Sequence, residues 1–239
     1  MRLRRRRTRM TALPHTSRHD PVAHDPDEAY GERRWPMAAA VIAAAILTAL
    51  SPDRLVPGPR WLLPAVECLL LLALMFSDPG RISRRSRQLR RLSIALVCVL
   101  VATATWATGV LVHELVVGGP ATDDASELLE TAGLVWLNTI VAFALLFWEL
   151  DTEGAAARAR HTGPPRDFAF PQQLNPDIAP GWRPRFGDYL YLGLTNSIAF
   201  SPTDAMPLSR LAKASMAIQS VISLALLTLV VARAVNIFN

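Results

Sequence analysis

Residues 81–117 read Arg81-Ile-Ser-Arg84-Arg85-Ser-Arg87-Gln-Leu-Arg90-Arg91, then Leu92-Ser-Ile-Ala-Leu-Val-Cys98-Val-Leu-Val-Ala-Thr-Ala-Thr-Trp106-Ala-Thr-Gly-Val-Leu-Val-His113-Glu114-Leu-Val-Val117. A dense arginine cluster gives way to an apolar run almost free of charge. About 20 residues rising ~1.5 Å each cross a hydrocarbon core of roughly 30 Å, so Leu92–Val117 is long enough to span a bilayer. By the positive-inside rule the arginine cluster stays on the cytoplasmic side. The fold is therefore read outward from this boundary as an all-α, polytopic transmembrane helix bundle.

The same alternation runs through the chain. Apolar spans are expected at 35–50, 61–76, 92–117, 128–150, 186–200 and 211–238, making 35–239 the membrane domain and 151–185 a Pro- and Arg-rich cytoplasmic loop. About six crossings follow, or five if Phe186 to Phe200 is re-entrant and the chain comes back out where it went in. Residues 1–34, with Arg2, Arg4, Arg5, Arg6, Arg7 and Arg9 and few aliphatic clusters, are expected to be a disordered cytoplasmic tail. The loop at 151–185 is expected to be irregular, folded under the bundle by Phe168, Phe170 and Trp182.

Composition agrees. The chain has 239 residues, 51% hydrophobic, yet carries a net charge of +5 and a pI near 10. A charge at the bilayer centre costs roughly 2.5 to 3.5 kcal/mol on insertion scales, which is why the charges fall in blocks. The positive balance thus belongs to loops, and no nucleic-acid partner is expected. All but one of the 25 basic residues are arginine, the exception being Lys213. That bias, with the many alanines, points to a bacterial chain from a GC-rich genome, located in the cytoplasmic (plasma) membrane with its N-terminus in the cytoplasm. With six crossings, only Arg54, Arg60, Arg210 and Lys213 lie outside, and Arg233 lies within the last span.

Polar groups inside spans are the candidates for function, because each is expensive in hydrocarbon. A candidate polar pathway comprises Glu67, Asn138, Thr195, Asn196 and Gln219. A carboxyl such as Glu67 either snorkels outward, stays protonated or lines a water-filled vestibule. At the cytoplasmic side, Arg233 is expected to pair with Glu149 or Asp151. His113 beside Glu114 could shuttle protons, although neighbours on a helix point about 100° apart. Asp124, three residues before Glu127, is placed to cap the fourth span.

Other chemistry finds little footing. There is no G-x-S-x-G, H-E-x-x-H, Walker loop or G-x-G-x-x-G, so no enzyme, catalytic residue or cofactor is expected. Cys68 and Cys98 lack metal or redox spacing. His15, His19, His24, Asp20, Asp25 and Asp27 match no fixed metal site. The partners expected are the lipid bilayer and, at the N-terminus and Arg81–Arg91, anionic headgroups, worth about 1 kcal/mol per basic residue near the surface. Homo-oligomerisation stays open.

Two resemblances follow from the C-terminal third. Asp188-Tyr-Leu-Tyr-Leu-Gly-Leu-Thr-Asn-Ser-Ile-Ala-Phe-Ser-Pro-Thr-Asp-Ala-Met-Pro-Leu-Ser-Arg210, with Met216-Ala-Ile-Gln-Ser, Ala232-Arg-Ala-Val-Asn, Trp148-Glu-Leu-Asp and Phe170-Pro-Gln, resembles a family of uncharacterised bacterial multi-pass membrane proteins, a domain of unknown function. That resemblance implies a multi-pass fold and no assigned activity. The same hairpin is faintly similar to the pore region of two-helix potassium channels, in which a short helix meets a filter and a long inner helix. Here Ser197-Ile-Ala-Phe-Ser-Pro-Thr-Asp occupies the filter position, without the carbonyl-lined T-V-G-Y-G. The leading expectation is thus a non-enzymatic integral membrane protein of unknown molecular function, the alternative an ion channel or small-solute transporter.

Overall fold

A computed structural model describes residues 32–77, 86–118, 124–160, 165–175, 177–199 and 205–237. Most of the basic tail, Arg81 to Arg85, Asp123 and Ser201 to Asp204 lie outside the described residues, as do His15, His19 and His24. The elements are α1 (Trp35–Leu50), α2 (Leu62–Ser77), α3 (Arg87–Val117), α4 (Ala125–Leu150), α5 (Ala155–Arg160), β1 (Phe168–Ala169), α6 (Pro171–Leu174), α7 (Phe186–Ala199), β2 (Met206–Pro207) and α8 (Arg210–Ile237). Three helices are long and apolar enough to cross a membrane, Arg87–Val117, Ala125–Glu153 and Arg210–Val235, while α1 and α2 are shorter apolar helices.

Local chemistry sets the ends. Pro36 stands in the first turn of α1, where a missing N–H costs nothing. Asp124 caps α4: its Oδ1 accepts from the amides of Ser126 (2.8 Å) and Glu127 (3.0 Å) and from the Ser126 hydroxyl. The capping contacts hold the Asp124 carboxyl below its usual range, the Ser126 hydroxyl having the largest effect. Gly118 ends α3 at φ +88°, a conformation glycine adopts without a Cβ clash.

Two apolar clusters fix how the helices run. One gathers Met37, Leu74, Leu96, Phe147, Trp148, Phe168 and Tyr189 with Ala212 and Met216, and defines the Asp151 end. The other gathers Leu55, Leu111, Leu115, Leu128 and Val135 with Leu226 and Val230, and defines the Arg54 end. α1 and α3 run from the Asp151 end to the Arg54 end, and α2 and α4 run back. α4 is the central post, packed on α1, α3, α7 and α8.

The last two helices depart from simple up-and-down order. α7 starts at the Asp151 end, where the Phe186 ring meets Trp148 edge-on at 6.3 Å and its amide donates to Glu32 at 2.6 Å. It then climbs antiparallel to α4 until Gly193 lies against Ile140 and Ala144. Fourteen residues rise only about 21 Å. The chain next appears back at the starting end, where β2 pairs antiparallel with β1, Met206 opposite Ala169 and Pro207 opposite Phe168. α8 therefore also begins at the Asp151 end, beside Ala212, and finishes among Leu226 and Val230 at the Arg54 end. α7 and α8 are parallel neighbours that begin at the same end of the bundle.

Candidate functional site

Asn196 and Gln219 meet between α7 and α8. Both are fully buried. Asn196 Nδ2 donates to Gln219 Oε1 (2.8 Å) and to the Met216 carbonyl (3.0 Å), Gln219 Nε2 donates to the Gly193 carbonyl (2.9 Å), and Ser220 Oγ donates to Asn196 Oδ1 (3.2 Å). All four side-chain amide atoms of the pair thus find partners across the α7–α8 interface. One turn before Asn196, a Cβ added at Gly193 would lie 3.2 Å from the Ile140 carbonyl oxygen. Glycine lets α7 approach α4 closely, and the amide pair fastens it to α8. Thr195 does not join them: its hydroxyl bonds back to the carbonyls of Tyr191 and Leu192.

The other two members of the expected pathway lie elsewhere. Asn138 is buried on the α1 side of α4, donating to Thr48 Oγ1 at 3.3 Å, and its Oδ1 has no partner among the described residues. Glu67 is fully buried in α2, which packs on α1 and α3. Neither of its oxygens has a hydrogen-bond partner among the described residues. The five residues therefore resolve into a satisfied amide latch of Asn196 and Gln219 at α7–α8, Thr195 apart from it on α7, and Asn138 and Glu67 as separate polar groups towards α1 and α2.

At the Asp151 end a second polar cluster ties four segments together. Asp151 is fully buried, and its carboxylate accepts from the amides of Asp167 (2.9 Å) and Phe168 (3.3 Å) and from the Tyr189 hydroxyl. Arg158 reaches over the rings of Tyr189 (5.1 Å) and Trp148 (5.6 Å) and donates to the carbonyls of Trp148 and Asp151, each at 2.7 Å. Glu32 accepts from Trp148 Nε1 (2.9 Å) and lies 3.7 Å from the Arg158 guanidinium. Phe168 and Phe170 pack edge-on against Tyr189, so the loop after α4 closes this end of the bundle. Trp148 is buried here.

Glu149 faces a cleft beside this cluster and accepts from Ser93 Oγ at 2.8 Å. The direction of α8 explains why neither carboxylate is clasped by Arg233. Arg233 lies one turn past Val230, towards the Arg54 end, whereas Glu149 and Asp151 lie at the other end with the partners just described. The expected pair assumed that α8 ran the opposite way.

Sequence reasoning missed Glu32, Arg158 and Tyr189. All three look like solvated or interfacial residues, although Asp151, Phe168 and Phe170 beside them were singled out from the sequence. Among the described residues no group of three or more His, Cys, Asp or Glu side chains could hold a metal. No protein-family model matches the chain, and no curated protein or solved structure does so either.

Proposed function

We propose that the chain is a non-enzymatic integral membrane protein of the bacterial plasma membrane with five crossings, α1, α2, α3, α4 and α8, and a re-entrant helix α7. Its role in this reading is to pass a small monovalent cation along a path that meets the inner tip of α7. One observation carries the proposal: α7 and α8 both start at the Asp151 end, so the C-terminus of α7 stops at bilayer depth. The last carbonyls of a helix carry a partial negative charge. Discontinuous helices that end near the midplane use such carbonyls to coordinate cations, and irregular backbone at that depth is tolerated only where it is buried or lines water.

Charge distribution supports the five-crossing arrangement. Turning α8 round brings Arg210 and Lys213 to the side of the other arginine clusters, leaving Arg54, Arg60 and, near the end of α8, Arg233 opposite. The positive-inside bias becomes stronger than with six crossings. The arginine side is then cytoplasmic, where Arg87, Arg90 and Arg91 meet anionic headgroups. The amide latch in this arrangement holds α7 in place and is not itself the path, and the likeness to a channel hairpin is one of layout.

Single cysteines placed by substitution at Leu174, Met206 and Asn239, in a chain whose Cys68 and Cys98 are replaced by serine, test the topology with a membrane-impermeant maleimide. Leu174 and Met206 should label from the cytoplasmic side and Asn239 from the outside. Labelling of Asn239 from the cytoplasmic side would restore six crossings. Proteoliposomes loaded with potassium, sodium or a proton indicator test the activity. Cation flux above that of empty vesicles is expected, and its absence for all three ions would refute the transport role.

A further inference from the structure

Glu67 is the most costly group in the bundle to explain as packing. It lies five residues into α2, about 8 Å along the axis from the first residue, Leu62, yet its side chain is fully buried rather than turned to that end. No donor reaches either oxygen among the described residues. A charge buried without a partner is strongly destabilising, so an ionised carboxyl here calls for a cation close by.

The elements around it supply none. α1 carries no ionisable side chain from Trp35 to Leu50. Met37 and Leu74 line one cleft, so two turns further along each antiparallel helix put Glu67 beside Ala44. Leu71 and Leu74 pack in one cluster with Leu96, Val97 and Leu100, which sets Glu67 level with Thr103 and Ala104 on α3. From that level Arg87, Arg90 and Arg91 lie towards the Asp151 end, and His113 is on the order of 15 Å away along α3. Cys98 on α3 and Cys68 on α2 are exposed. Arg54 is engaged by Glu114 (3.3 Å) and Glu127 (3.1 Å), and Arg60 by Asp53 (3.3 Å). Thr103 donates its hydroxyl to the Val99 carbonyl at 2.8 Å.

What the site lacks is a donor, and the smallest species that supplies one is a proton. We infer that Glu67 is a proton-binding site inside the bundle, its carboxyl held as the acid and exchanging its proton with the Arg54 end, one and a half helical turns away. The uptake is a simple association: the carboxylate oxygen forms one O–H bond and no other bond breaks. The site stands apart from α7 and does not depend on a cation path there.

Dicyclohexylcarbodiimide, an apolar reagent that adds to a carboxyl in its acid form, tests this on the full chain in nanodiscs. Adduct mapped by mass spectrometry should fall on Glu67 and vanish in Glu67→Gln. It should decline about tenfold for each pH unit above the midpoint, with sodium or potassium leaving it unchanged. Glu67→Gln, which keeps the shape without the charge, should melt within a few degrees of the parent. No adduct at any pH overturns the proposal. Protection by sodium or potassium overturns it in favour of a metal-ion site. A large loss of stability in Glu67→Gln overturns it too, since it would mean that the charged form is the one the fold requires.

Discussion

Gln219→Leu removes the group on which the α7–α8 latch turns. The substitution deletes the acceptor of the 2.8 Å bond from Asn196 and the donor of the 2.9 Å bond to the Gly193 carbonyl. Asn196 keeps the Met216 carbonyl and Ser220, so it is not left bare. Interhelical hydrogen bonds inside membrane proteins average about 0.6 kcal/mol and reach about 1.7. Two of them predict a loss of about 1 to 3 kcal/mol. Asn196→Leu should cost a similar amount, because it strands the Gln219 oxygen and leaves the Ser220 hydroxyl only the backbone carbonyl of residue 196, at 3.4 Å. The pair replaced together should cost less than the sum, since swapping both partners for apolar groups of similar shape leaves no orphaned polar atom.

Two readouts measure this. Reversible unfolding in mixed micelles gives the free energies of the two single variants and the double, and the cycle should show coupling of about 1 kcal/mol. Thiol reactivity at Ser197→Cys, a fully buried site on α7, reports local opening: a loss of about 2 kcal/mol should speed modification roughly thirtyfold. Additive single effects, together with unchanged reactivity at position 197, would show that the amides do not fasten α7. α7 would then owe its position to α4 alone.

Gly193→Ala should destabilise by about 1 to 3 kcal/mol, because the new methyl lies 3.2 Å from the Ile140 carbonyl oxygen and 3.4 Å from the Ala144 Cβ; thermal melting in detergent would check it. Asp151→Ala strips three donors of a buried acceptor, and a loss of about 3 to 5 kcal/mol is expected, with proteolysis between residues 160 and 186 as a sensitive measure. At Asp124 the folded pKa lies below the ordinary 3.8. Its contribution is therefore fully present above that value and is lost as pH falls through the folded pKa. Amide exchange at Ser126 and Glu127, corrected for intrinsic rates, should accelerate there, and Asp124→Ala should show the accelerated rate at neutral pH as well.

How legible these features were depends on how local their causes are. The Asp124 cap is written in four consecutive residues, and the structure has it. The long spans from Leu92, Leu128 and Leu211 are decided by their own composition. Asn196 and Gln219 stood out because amides are rare in apolar runs, and their meeting needed only two neighbouring helices. The cluster at Asp151 is different in kind. Glu32 and the Phe186 amide are 154 positions apart, and Arg158, in a stretch rich in proline and arginine, carries no local mark of burial. Only the closing of the loop by Phe168 and Phe170 makes that guanidinium an interior group.

The direction of α8 shows where sequence reasoning of this kind stops. A 14-residue α7 is too short to decide between crossing and returning, because its apolar pattern is the same either way. The deciding interactions are the β1–β2 pairing, made by two residues on each side, and the packing of Ala212 and Met216 beside Phe168 and Tyr189. Neither leaves a periodic trace. The choice then spreads by simple geometry. Reversing one helix moves Gln219 from the outer half towards the arginine side and Arg233 away from it, which dissolves the ion pair expected with Glu149. It also moves Arg210 and Lys213 to the side where the charge rule wants them. The arginine count therefore weighs towards the returning chain, the alternative that the shortness of residues 186–200 had left open. In a polytopic chain a single short run controls the sidedness of everything after it, so residues 186–210 are where one labelling experiment tells most about function.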